Sequence, residues 1–114
     1  MKKEIIKKFS LKNSYNSLVH IKKRCNKINH ISKNFLFVPF TLFKVNNYEI
    51  ISKQIFIISE KVRRAEKLIL LKNLALNLDK LDKLNIVHGD INFKNIVFTK
   101  KRIFLIDWEP VLIK

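Results

Sequence analysis

The sequence predicts an α+β domain built from antiparallel hairpins and two helices, and three observations carry that prediction. Two stretches alternate or cluster Phe, Val, Ile and Thr around a short polar turn, as hairpin strands do. Two others place apolar residues at steps of three and four, which is one face of a helix. A short apolar stretch at the start, with Ile5, Ile6, Phe9 and Leu11, adds a further strand.

Taken in order, Glu4–Lys12 is predicted as a strand, with Ile5, Ile6, Phe9 and Leu11 apolar. Asn13 or Ser14 is the candidate helix cap, because a short polar side chain satisfies free amides. Leu18, Ile21, Cys25 and Ile28 form one apolar face, giving a helix over Ser14–Ile28 that Asn29, His30, Ser32 and Asn34 are expected to end. Phe35–Lys44 reads as a strand interrupted at Pro39, hence an edge strand or a bulge. Asn46-Asn47 is a turn, since Asn tolerates the left-handed backbone of a tight hairpin. Tyr48–Ile58 is the returning strand. Ser59 is expected to cap a long helix over Glu60–Leu84, with Val62, Ala65, Leu68, Leu71, Ala75, Leu78 and Leu81 on its apolar face. Ile96–Thr99, a Lys100-Lys101 turn and Arg102–Ile106 form a last hairpin.

A chain of 114 residues supports one small domain, and 47% hydrophobic residues exclude global disorder. No apolar run is long enough to span a bilayer: Leu68–Leu78 is broken by Lys72, Asn73 and Asn77. The basic start leads into Lys7 and Lys8 rather than an apolar signal core, and the single Cys25 has no disulfide partner, so a reducing, cytoplasmic setting is expected. The net charge of +15 favours anionic partners. Its lysines are scattered over many elements, with short clusters only at Lys22-Lys23-Arg24 and Lys100-Lys101-Arg102, which describes a solvated surface better than a nucleic-acid site. Phe35, Phe37, Phe40 and Phe43 are read as core rather than as base-stacking residues.

The chemistry concentrates near the C-terminus. Asp90 and Asn95, with four residues between them on one loop, place two polar side chains around one point, and the hairpin returns Asp107 beside them. In phosphoryl transfer a carboxylate orients the attacking hydroxyl while an amide and a second carboxylate hold Mg²⁺ against the phosphates. Gly89, the chain's only glycine, directly precedes Asp90, which suggests a backbone geometry other residues resist.

His88-Gly89-Asp90, four residues, then Asn95-Ile96-Val97, followed by Leu105-Ile106-Asp107-Trp108-Glu109, resembles the catalytic loop and metal motif of the aminoglycoside phosphotransferase and choline kinase family. Protein kinases carry His-Arg-Asp and Asp-Phe-Gly instead. The resemblance implies a minimal kinase-like fold: a partial N-lobe over residues 1–58 and a partial C-lobe over 59–114, with the catalytic loop at 88–95 and the metal motif at 107–109. It implies ATP and Mg²⁺, transfer of the γ-phosphate to a hydroxyl of a small molecule or sugar, Asp90 as catalytic base, Asn95 and Asp107 as metal ligands, and His88 and Gly89 as supports of the loop. Residues 54–58 would be the hinge that meets adenine, and Lys12 the best match for the phosphate-contacting lysine. The sequence departs from the family in having no Gly-rich loop, no acid in the Ser14–Ile28 helix, Phe93 in place of a common proline, and no further helices after Lys114 for the acceptor site. A truncated, non-catalytic remnant acting as a basic binding module for a protein or anionic polymer is the alternative. An incomplete lobe would leave apolar surface for a second copy to cover.

Overall fold

In a computed structural model, residues 3–11 and 18–110 are described; the expected cap at Asn13 or Ser14, the start of the first helix and Lys12 lie outside them. The elements run β1 (Glu4–Ser10), α1 (Leu18–Asn34), β2 (Thr41–Val45), β3 (Glu49–Ile55), α2 (Arg64–Lys83), a single 3-10 turn (Phe93–Asn95), β4 (Ile96–Phe98) and β5 (Ile103–Leu105). The architecture is α+β. β1, β3 and β2 form an antiparallel sheet in that order, and β4 and β5 form a separate antiparallel hairpin.

α1 continues well past Ile28. Asn29 and Ser32, polar residues that read as terminators, lie within the helix and have specific partners on β2. Asn29 pairs its amide with the backbone of Phe43, donating to the carbonyl at 3.2 Å and accepting from the N–H at 2.8 Å. Ser32 donates to the Thr41 carbonyl at 3.0 Å. β2 is an edge strand, so its outward backbone groups need partners, and α1 supplies them. Ile21, Cys25, Ile28 and Ile31 bury the other contact of α1 in the core with Phe43 and Ile50.

The strand expected from Phe35 is shorter than its composition suggests. Phe35 N–H still bonds back to Ile31, and the Val38 N–H bonds to Phe35 as a turn. Pro39 has no N–H to give a ladder, and regular pairing begins only at Thr41. Asn46 closes the hairpin, its Oδ1 accepting the Tyr48 and Glu49 N–H groups, each at 2.8 Å.

α2 starts at Arg64 rather than Glu60, and Ser59 does not cap it; Arg63 stands at the cap position without a capping bond, its guanidinium pairing instead with Glu66 at 2.9 Å. The Glu60 N–H is engaged elsewhere, with the Phe98 carbonyl at 2.9 Å. The buried stripe is Leu74 and Leu81, flanked by partly buried Leu70, Leu71 and Leu78, whereas Leu68 is 60% exposed and Ala75 is also exposed. Successive steps of three lag a 3.6-residue turn, so the expected face drifts around the helix before Leu71. At its far end, Asn85 N–H bonds to Asp82 and Ile86 N–H to Leu81, with Asn85 at φ 59°. This is a left-handed terminator closed by an apolar contact, with Leu81 and Ile86 both buried. It directs the chain into residues 87–95.

The two sheets meet through the segment between α1 and β2, where the Phe37 carbonyl accepts the Leu105 N–H at 2.9 Å. Ile103, Leu105 and Trp108 join the same core. Among the described residues no helix is long and apolar enough to cross a membrane.

Candidate functional site

The loop after α2 is organised by His88. Its Nδ1 accepts the Asp90 N–H at 3.1 Å, so the ring proton lies on Nε2, which faces the Ile106 carbonyl at 2.7 Å. One buried imidazole therefore fixes both the backbone at Asp90 and the residue before Asp107. Its ring meets Trp108 edge-on, with centroids 4.7 Å apart, and Trp108 Nε1 donates to the Leu105 carbonyl at 2.8 Å. Burial lowers the His88 pKa, which keeps the ring neutral as these bonds require. Gly89 between them has φ 97°, a value that a Cβ would penalise.

Asp90 is exposed, and its carboxylate is oriented by two amides. Asn92 Nδ2 donates to Oδ1 at 2.8 Å, and Asn95 Nδ2 reaches Oδ2 at 3.3 Å while donating to the Asp90 carbonyl at 2.9 Å. Asn92 also caps the 3-10 turn through the Lys94 N–H. Asn95 is buried, and its carbonyl accepts the Ile106 N–H at 2.8 Å, so the start of β4 and the end of β5 are locked beside each other.

Asp107 follows in a left-handed backbone conformation, φ 63°, which a short polar residue tolerates better than most. Its Oδ1 lies 2.7 Å from Lys7 Nζ on β1. That hydrogen bond holds the Asp107 carboxyl below the usual carboxylate range. Glu109 is pushed the other way, by burial and by the Asp107 charge. Lys7, Ile5, Ser52, Gln54, Asn95, Ile106 and Asp107 line a cleft of about 190 Å³ between the three-stranded sheet and the hairpin. A larger hollow, about 710 Å³, is lined by Lys3, residues 55–58, Glu60, the turn at 99–102 and Phe104. Lys3, immediately before β1, and Ile5 and Lys7 within it alternate in position, so both spaces open beneath one side of that strand.

Of the residues singled out from sequence, Asp90, Asn95, His88 and Gly89 share one loop, and Asn95 and Asp107 share the cleft. Lys12 lies outside the described residues. Sequence reasoning missed two cations. Lys7 carries a signal in retrospect, being the lysine between Ile5 and Phe9 on a strand of period two. Arg24 carries another, since it stands on the stripe Ile21, Arg24, Cys25, Ile28.

The donors facing the cleft, a carboxylate and a carboxamide, are hard oxygens suited to Mg²⁺, which commonly takes one or two side chains and completes its shell with phosphate and water. Among the described residues no three His, Cys, Asp or Glu side chains converge on one point. No protein-family model, no curated protein and no solved structure matches this chain.

Proposed function

We propose that this protein is an ATP- and Mg²⁺-dependent phosphotransferase that moves a γ-phosphate to the hydroxyl of a small molecule or sugar. The observation that carries the reading is the Lys7–Asp107 pair at 2.7 Å, set across a cleft that Asn95 also lines. A lysine and a carboxylate on opposite walls are what a metal–triphosphate needs, one for the phosphate oxygens and one for the cation. Bound Mg²⁺ would supply neutralisation of the phosphate charge.

The chain's own groups then divide the work. Lys7 gives up Asp107 and donates to a phosphate oxygen. Asp107 and the Asn95 carboxamide present oxygen donors on the hairpin side. Asp90, exposed and held by Asn92 and Asn95, accepts the proton of the attacking hydroxyl. The hydroxyl oxygen forms its bond to the γ-phosphorus, the bond to the bridging oxygen breaks, and ADP leaves. Along β1, Lys3 and Lys7 are about 13 Å apart at strand rise. A base in the larger hollow would therefore leave its terminal phosphate near Lys7.

Calorimetric titration with ATP, with and without Mg²⁺, tests this. Wild-type protein should bind in a Mg²⁺-dependent manner. Lys7→Ala should weaken binding roughly 10- to 100-fold, the worth of one charged hydrogen bond. Asp107→Ala should abolish the Mg²⁺ dependence, while Asp90→Ala should bind normally and transfer nothing. Equal binding by wild type and Asp107→Ala, declining steeply with salt, would mark a cationic binding module instead.

A further inference from the structure

We propose that Arg24 is a positioning residue that fixes the base-bearing loop and the metal-bearing segment relative to one another; this rests on the phosphotransfer reading. The side chain leaves α1 and spans to two distant parts of the chain. Its Nε donates to the Glu109 carbonyl at 2.9 Å, Nη1 to the Val87 carbonyl at 2.9 Å, and Nη2 approaches the His88 carbonyl at 3.4 Å. Val87 and His88 immediately precede Gly89-Asp90, and Glu109 lies two residues beyond Asp107. One guanidinium thus holds the flanks of both segments, and neither flank belongs to regular secondary structure that would hold it otherwise.

The geometry requires arginine. Three carbonyls in different directions match a planar fork with several donors, whereas a lysine ammonium would be a point charge on a flexible stem. Removing the fork strands the Glu109 and His88 carbonyls, which are partly shielded from water. Burial depresses the Arg24 pKa, and the neighbouring Glu109 charge works against that shift. Arg24 does not line the cleft of Lys7 and Asp107, so it acts through the backbone rather than on a ligand. It does line a separate cavity of about 180 Å³, with His20, Lys23, Lys27, Asn85 and Ile86, which gives a small cation access from solvent.

The test compares wild type, Arg24→Ala and Arg24→Lys by hydrogen exchange and by Mg-ATP titration. Arg24→Ala should exchange faster at residues 87–90 and 107–109 than elsewhere, and bind Mg-ATP about tenfold more weakly, as loss of a supporting contact does. Guanidinium at low millimolar concentration should recover part of that affinity, while methylammonium should not. Arg24→Lys should bind no better than Arg24→Ala, and it carries the comparison if the alanine variant does not fold. Wild-type affinity in the variants, or a loss that guanidinium leaves untouched, overturns the positioning role alone. Absence of Mg-ATP binding by the wild type overturns the phosphotransfer reading and the role that depends on it, whatever the exchange pattern.

Discussion

His88 shows how one side chain commits the site to a protonation state. Nδ1 must stay unprotonated to accept from Asp90, and the ring is buried against Trp108. Its folded-state pKa therefore lies below the ordinary value of 6.5, burial being the main cause. The unfolded chain then binds the proton more readily. The stabilisation is fully present above about pH 6.5 and is lost as the pH falls below it. Urea midpoints at pH 7.5 and 5.5 should thus differ more for wild type than for His88→Gln, which cannot titrate; identical differences would remove the neutral-ring assignment. Asp90, Asn95 and Asp107 stand out in the sequence because two of them share a loop and the third ends the next hairpin. Lys7 and Arg24 do not stand out, because a chain with 24 Lys and Arg hides two cations with specific distant partners among many solvated ones. Only their position on an apolar stripe separates them.

At the scale of elements, α2 separates a pattern from a packed face. Both sides of the helix carry leucines, and periodicity alone assigns Leu68 and Leu71 equally to the core. Packing against the β4–β5 hairpin selects the stripe through Leu71, Leu74, Leu78 and Leu81. Leu74→Ala or Leu81→Ala should cost about 2–5 kcal/mol by chemical unfolding, the range for emptying a packed site. Leu76→Ala, at a position 62% exposed, should stay within about 0.5 kcal/mol. Comparable losses at Leu74 and Leu76 would mean the helix is rotated from the orientation described. α1 gives the converse case. Asn29 and Ser32 have the chemistry of helix ends, yet they stay helical because the exposed edge of β2 offers them backbone partners.

Across the whole molecule, charge is poorly compensated. Among the described residues three ion pairs form, Lys7–Asp107, Arg63–Glu66 and Lys83–Asp79, and the last two lie within α2 or at its start. With a net charge of +15 on a body of 46 × 34 × 23 Å, most pairwise repulsion acts over distances that salt screens effectively. The melting temperature should therefore rise between about 10 and 150 mM NaCl, as the Debye length falls from about 30 to 8 Å. A fall in melting temperature over that range would show that attraction within the ion pairs outweighs repulsion among the rest.

By itself the sequence determined the α+β class, the hairpin turns, the presence of two helices, and the loop spacing of Asp90 and Asn95. All of these arise from residues close along the chain, where propensity, periodicity and turn chemistry act directly. Tertiary structure decided which lysine meets Asp107, which face of α2 is buried, and that Arg24 bridges Val87 to Glu109. The Lys7 and Arg24 contacts join residues 63 to 100 positions apart, and α2 packs on a strand that follows it by at least 20. They are fixed by how sheet, helix and hairpin dock, and local pattern carries no record of docking.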